Sequence, residues 1–319
     1  FYRLEGLQNS FGIPLPASTQ WEIVEAAADK IYPAYEELIR QAAQGEVLHN
    51  DDTTVKILAL MKGTPSDQQS EDGDGVDKGA GKGANKSDPS RSGVFTTGIV
   101  SVKEGRKIAL FFSGPQHAGE NLADLLQKRQ AGLGPPIQMC DALSRNIPKG
   151  LETILAHCLS HARRKFVDVV CYFPDECRYL IEALAKVYHY DDIAKEDNMS
   201  ADERLKFHQK ESGPVMEQLK VWLTEQIEDK KVEPNSILGD AVSYMLKYWE
   251  RLTLFLRVPN APLDNNICEQ ILKRSIMHRK NSLFFKTELG AYIGDMFMSF
   301  IHTCYLHKVI PFDYLVALQ

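Results

Sequence analysis

Residues 262–286, PLDNNICEQILKRSIMHRKNSLFFK, set the carboxylate of Glu269 at the head of a densely basic stretch. From Gln270 to Thr287 there is no Asp or Glu, while Lys273, Arg274, Arg279, Lys280 and Lys286 supply positive charge, with His278 and Asn281 among them. The whole chain carries a formal net charge of -6, so this excess of cations is local and points to an anion-binding surface beside an acid.

The 319 residues, 44% hydrophobic and 25% charged, suit one large or two modest domains with ample material for a core. No apolar run approaches the roughly 18 to 20 residues of a membrane span, and no signal-peptide pattern precedes Arg3. A membrane role is therefore not expected. Six cysteines without a CxxC pair do not make a disulfide scaffold in a chain of this length, and a reducing cytoplasm is the simpler setting. The opening FYRLEGLQNSFG reads as a continuation, so an upstream module is expected.

The elements that position Glu269 can be read from composition and period. Residues 1–45 form a helical lead-in. Residues 46–60 contain VLHNDDTTVKILAL, a strand pattern around Asp51 and Asp52. The stretch 63–93 is almost devoid of apolar residues and reads as a flexible low-complexity loop inserted between strands. VFTTGIVSV (94–102), the turn KEGR and KIALFF (107–112) predict an antiparallel hairpin. A helix over 119–130 follows, then a short buried strand, PIQMC, with Asp141 at its carboxyl end. From Leu151 to Leu256 the pattern is helical, with polar breaks near 191–200 and 228–236; a Pro-bounded loop and a last helical region complete the chain.

Three strands, a helix, a strand and then helices is the order of an α/β ribonuclease-H-like mixed sheet, with residues 46–150 its first part. The large helical insertion, 151–257, precedes the last catalytic helix, and 258–319 holds that helix and a helical C-terminal segment. Such a fold gathers Asp51, Asp141 and Glu269 at one sheet edge. Three hard oxygen ligands without a Cys or His cluster suit Mg²⁺ or Mn²⁺ rather than zinc.

At these residues the chain resembles the insertion sequence 66 family of bacterial Asp-Asp-Glu transposases. The resemblance covers nearly the whole sequence. It is carried by LHNDDTTVKIL, PIQMCDALS, HARRKF, PLDNNICEQ with HRKNSLFF, and IHTCYLHKVIPFDYLVAL; the most specific block is DNN-x-x-E followed by RKN-x-LF. It implies Asp51, Asp141 and Glu269 as the catalytic, metal-binding triad, with about two Mg²⁺ or Mn²⁺ ions per site. The implied reaction is strand cleavage at element ends and transfer of the freed 3′-hydroxyls into target DNA. The resemblance also implies homo-oligomers assembled on DNA, accessory proteins, and a bacterial, cytoplasmic, nucleoid-associated location.

Each residue has a simpler reading. Asp51 and Asp52 fit ordinary strand-end acids, with Asp52 a secondary candidate ligand. Asp264 is another, and Asp264, Asn265 or Asn266 fits a helix N-cap. The basic run fits a solvated helical face, although its lack of acids favours phosphate contact, with Lys273, Arg274, His278, Arg279, Lys280, Asn281 and Lys286 as DNA-binding residues. Arg163, Arg164 and Lys165 either join that surface or pair with acids such as Asp168. His157 and His161, four apart, match a zinc pair on one helix, but Cys158 stands where a zinc protease needs Glu, and packing or DNA contact suits both better. Large aromatics such as Trp222, Tyr244 and Tyr248 read as core; Phe284 and Phe285 read as possible stacking platforms. A non-catalytic DNA-binding derivative and a nuclease without strand transfer are the competing functions.

Overall fold

The computed structural model describes residues 1–61 and 93–319. The loop expected over 63–93 thus lies outside the described residues, apart from Gly93.

Helix α1 (Tyr2–Ser10) precedes α2 (Ala17–Ala42), where Ala28, Ile31, Tyr35, Ile39 and Ala42 recur at helical spacing and form one buried stripe. Strand β1 (Val47–Thr54) follows, buried over its first half and opening to solvent from Asp51. After the single turn α3 (Leu58–Met61) come β2 (Phe95–Lys103) and β3 (Arg106–Gly114). Glu104 and Gly105 between them both have positive φ, 50° and 78°, the two-residue turn that matches the twist of paired strands. Helix α4 (Ala118–Leu126), β4 (Ile137–Cys140) and β5 (Ile154–His157) complete the α/β part. The sheet order is β3-β2-β1-β4-β5; β2 is antiparallel to both neighbours, while β1, β4 and β5 run parallel.

Strand β5 corrects the expectation of helix from Leu151 onward. Its four residues are too few to display a period of two, and Ile-Leu-Ala suits a helix as well as a strand. Pairing with β4, from Ile137 opposite Ile154 to Cys140 opposite His157, decides the matter by tertiary contact.

The helices that follow are α5 (Leu159–Val167), α6 (Pro174–Glu196), α7 (Ala201–Glu228), α8 (Ile237–Lys247) and α9 (Trp249–Leu252). Their apolar faces share one core with Met139 and Ala156 of the sheet. Buried Asp191 of α6 ties in α7 through Arg204 Nη2 (2.7 Å) and His208 Nε2 (3.2 Å), and Lys195 Nζ closes on it at 2.7 Å. Last come α10 (Asn266–Ser282), α11 (Glu288–Leu306) and α12 (Pro311–Ala317). Helices α2, α4 and α11 cover the sheet face bearing Leu48, Ile99 and Leu110. On the other face, Cys268, Ile271 and Leu272 of α10 pack on Val100, Ala109 and Phe111. Among the described residues no helix is long and apolar enough to cross a membrane.

The outer edge of β3 is closed by side chains of α11 and of His307, the residue that ends it. Backbone N–H groups of Ala109, Phe111 and Ser113 donate to Thr303 Oγ1 (3.0 Å), Ser299 Oγ (3.0 Å) and Asp295 Oδ2 (2.6 Å), and His307 Nε2 meets the Lys107 backbone, 3.1 Å from its nitrogen and 2.8 Å from its carbonyl oxygen. The match is geometric: four helical residues rise about 6 Å and two strand residues about 6.8 Å, so an i, i+4 polar stripe tracks alternate N–H groups.

Ser299→Ala should leave the buried Phe111 N–H without its acceptor and lower stability by about 1–3 kcal/mol in chemical denaturation. A second expectation concerns acid. Burial pushes the Asp295 carboxyl up to about 7, against two hydrogen bonds from Ser113 that favour the charged form. The folded state then keeps a proton that the unfolded chain loses at about pH 4, so stability falls as pH rises from about 4 to about 7 and levels off above. Asp295→Asn should make that slope shallower in denaturation curves measured across the window.

Candidate active site

Consecutive residues of a strand face opposite ways, and β1 uses both faces. His49 and Asp51 lie on the α10 face with their partners Val100 and Gly98, whereas Asn50 and Asp52 turn toward α4. The Asp52 side chain is 1% exposed, with one carboxylate oxygen 3.0 Å from His117 Nδ1 and accepting from the Ala118 N–H at the head of α4, and the other 3.4 Å from Arg145 Nη2. Asp52 therefore anchors a helix start on the face away from Asp51.

Asp141 follows β4 directly. In the parallel pairing of β1 and β4, His49 is opposite Met139, and the same register carried two residues on sets Asp51 level with Asp141. Asn146 bridges them: its Nδ2 donates to Asp141 Oδ1 at 2.6 Å and to Asp51 Oδ1 at 3.3 Å. Burial first, then the neighbouring charge of Asp141, pushes the Asp51 carboxyl up to about 7, while hydrogen bonds from the Asp52 N–H and Asn146 pull against the rise. The turn carrying Asn146 is fixed by buried amides. Asn50 Nδ2 and Gln138 Nε2 both donate to the Asn146 carbonyl at 2.8 Å, Gln138 also donates to Asn50 Oδ1 at 2.9 Å, and Thr153 Oγ1 donates to Gln138 Oε1 at 2.9 Å.

Helix α10 is pinned to the same strand by Asn265, which is fully buried. Its Nδ2 donates to the Asn50 carbonyl (3.1 Å), its backbone N–H to Cys158 Sγ (3.3 Å), and its Oδ1 meets His49 Nδ1 at 3.2 Å. Burial lowers His49 to about 4, so the ring is neutral at pH 7, and the amide orientation requires its Nδ1 to carry the proton. Gly98, the partner of Asp51, lets the helix approach: a Cβ there would lie 2.9 Å from Leu272, and Cys268 Sγ donates to the Gly98 carbonyl. Glu269 thus stands in the first turn of α10, next to the residue that touches the strand opposite Asp51. Asp264 accepts from the Asn266 N–H (3.0 Å) and side chain (2.7 Å), holding the entry to that turn.

The Glu269 carboxylate lies 3.5 Å from His161 Nδ1 and 3.9 Å from Arg164 Nη2. Glu269 Oε1 and His161 Nδ1 are buried atoms, and neither makes a hydrogen bond among the described residues. Cys158, His161 and Glu269 have ligand atoms within 4.8 Å of one another. The expectation of acids without a Cys or His cluster is corrected here: β5 and α5 deliver both residue types to Glu269. His157 ends β5 while His161 lies in α5, so their spacing is not that of one helical face. His157 instead sits against Tyr248, with Nε2 3.3 Å from Arg251 Nη1.

Of the basic residues, Lys273, Arg274, Lys280 and Lys286 are exposed and make no ion pair among the described residues, and His278 and Asn281 are also exposed. Arg279 is held by the carbonyl and hydroxyl of Thr54, and the His278 ring stacks on Phe285. On α5, Arg163 is exposed, Arg164 reaches Glu269, and Lys165 Nζ lies 4.6 Å over the Tyr244 ring. None of the three pairs with Asp168 among the described residues. Between α5, α8 and the end of β4 opens a cleft of about 530 Å³ whose lining includes Asp141, His161, Arg164, Lys165 and Tyr244. Tyr244, expected as core, lines it. Asn146, Asn265 and His161 carry much of this geometry; Asn265 had a sequence signal inside the DNN block and His161 in HARRKF and in its spacing from His157, whereas Asn146 had none.

A mixed five-stranded sheet with two acids level on neighbouring strands and a third at the start of a crossing helix defines an α/β protein with an acidic site beside a basic face. The family described as Transposase IS66 family matches residues 1–70 and 88–293, and the chain belongs to that family. The chain is 27% identical over 320 residues to the uncharacterized protein y4hP of Sinorhizobium fredii (strain NBRC 101917 / NGR234), covering 94% of this chain and 52% of that protein. It is 35% identical over 162 residues to the uncharacterized protein y4jD of the same strain, covering 50% of this chain and 31% of the relative. The chain thus spans about half the length of the first relative and about a third of the second. No solved structure gives a significant match.

Asn146→Ala should remove the donor that favours the charged form of Asp51. In carboxyl-carbon NMR titration its midpoint should move further upward from about 7, and an unchanged midpoint would discount the bridge.

Proposed function

We propose that this chain is the catalytic portion of a DNA transposase with a ribonuclease-H-like core, cleaving strands at insertion-element ends and transferring them into target DNA. Asp51, Asp141 and Glu269 are its metal ligands, and Mg²⁺ or Mn²⁺ its ions, about two per site. What carries the reading is the level placement of Asp51 and Asp141 on parallel strands, with α10 pinned to β1 so that Glu269 enters from the adjoining helix. The donor set fits a hard divalent cation: two crowded carboxylates, one held up near 7, and a third whose Oε1 is buried without a hydrogen bond. When bound, such ions would activate a water or 3′-hydroxyl and stabilise the leaving oxygen of the scissile phosphate.

The protein's own residues do the rest. Asn146 orients the two Asp carboxylates, and Asn265 sets the height of Glu269 over the strand. The cations Lys273, Arg274, Lys280 and Lys286, which make no ion pair among the described residues, neutralise backbone phosphates without reading bases, and Lys165 on the cleft, with exposed Arg163 on the same helix, extends that surface. In this reading residues 46–150 and 258–319 make the catalytic core, 151–257 is the insertion whose first strand completes the sheet, and 1–45 is a helical segment packed on that core. Copies pair on DNA to join two ends, since each end needs its own site.

The test is metal titration of the purified chain on a labelled element-end duplex, wild type against Asp51→Asn, Asp141→Asn and Glu269→Gln. Metal-dependent cleaved and joined products should appear with wild type, and each substitution should lower their rate by on the order of 10³-fold. Cleavage without joining would point to a nuclease. DNA binding without cleavage, with Mg²⁺ or Mn²⁺ present, would overturn the catalytic reading.

A further inference from the structure

We propose that Cys158, His161 and Glu269 form a second cation site, selective for a borderline divalent ion such as Zn²⁺ or Co²⁺, which shares Glu269 with the acidic triad. Three observations converge. The ligand atoms of one Cys, one His and one Glu lie within 4.8 Å of one another, a grouping that small side-chain rotations would draw in to the roughly 3.3–3.8 Å spacing that bonds of about 2.0–2.3 Å set around one tetrahedral ion with an open position. His161 Nδ1 and Glu269 Oε1 face each other at 3.5 Å, both buried and neither hydrogen-bonded among the described residues, which is costly for two polar atoms unless something comes between them. The three residues come from two segments far apart in sequence: Cys158 and His161 stand three apart at the start of α5, and Glu269 is on α10.

Their positions are stiff. Cys158 is fully buried and accepts from the Asn265 N–H, the same residue that pins α10 to β1, so thiol and carboxylate are set by one anchor. His161 is partly exposed, with its side chain 25% accessible, and opens onto the cleft through which an ion can enter. Binding forms S–M, N–M and O–M bonds; the Cys158 thiol proton leaves to solvent, neutral His161 donates its Nδ1 lone pair, and no electron is transferred. A soft sulfur and an imidazole favour Zn²⁺ or Co²⁺ over Mg²⁺, whereas Asp51 and Asp141 offer oxygen alone. Glu269 is common to both sets, so an ion held by Cys158 and His161 withdraws that carboxylate from the Asp pair; this last consequence rests on the transposase reading, while the site itself does not.

Co²⁺ titration of the chain in a Cys171→Ser background, which removes the exposed thiol, tests the site. One equivalent should produce a thiolate-to-cobalt absorption band, displaced by Zn²⁺ and untouched by excess Mg²⁺. Cys158→Ser should abolish the band, and His161→Gln, altering a partly exposed side chain, should weaken Co²⁺ affinity about tenfold or more. Asp51→Asn should leave the band intact, which separates this site from the triad. Absence of the band, its survival in Cys158→Ser, or unchanged affinity in His161→Gln would overturn the proposal, whatever the outcome of the cleavage assay.

Discussion

The buried amide of Asn265 is the contact on which the rest of the site depends. It joins α10 to β1 across more than two hundred residues of sequence, and it does so with every polar atom satisfied: the Asn50 carbonyl, the His49 ring and the Cys158 sulfur. A fully satisfied buried network is worth having because its failure is expensive; losing one partner strands the others in a low-dielectric interior. Helix packing alone, through Cys268, Ile271 and Leu272, would leave α10 able to slide along the sheet. The amide removes that freedom at the end where Glu269 stands.

A second polar network, Asn50, Gln138, Thr153 and Asn146, does the same for the acid pair. Asn50 belongs to both, since its carbonyl receives Asn265 and its side chain holds the Asn146 turn. Carboxylates that repel each other are thereby kept adjacent by uncharged groups, and the raised Asp51 carboxyl records its burial first and the charge of Asp141 second. Remote tethering joins the same scheme: Arg204, paired with Asp191, also reaches the Ala261 carbonyl in the loop before α10.

Much of the sheet was legible in the sequence because its strands alternate and its turn is specific. VFTTGIVSV, KEGR and KIALFF became β2, a positive-φ turn and β3, and PIQMC became β4. Asp51 could be located within the first strand and Asp141 at the end of the fourth for that reason. β5 was illegible because four residues carry no period, and that omission also misplaced His157 and His161 on a common helix. Asn146 and Gln138 gave no signal, since a buried amide is defined by its partners rather than by spacing. The opposed roles of Asp51 and Asp52 follow from strand alternation once the strand is known, and the side that matters is fixed only by where α4 and α10 pack. Asp295, Ser299, Thr303 and His307 stood in the sequence at intervals of four within an apolar helix, yet their target, the N–H groups of β3, is non-local.

That last ladder bears on where the chain can be shortened. Every candidate metal ligand and every candidate DNA-binding cation named here precedes Glu288, so a fragment ending at Thr287 would retain the complete set of candidate ligands. It would also uncover the row of N–H donors along β3, and an open strand edge pairs readily with another of its kind. The carboxyl-terminal helices, though they contribute none of the proposed metal ligands, are what keeps such a core from associating with itself edge to edge.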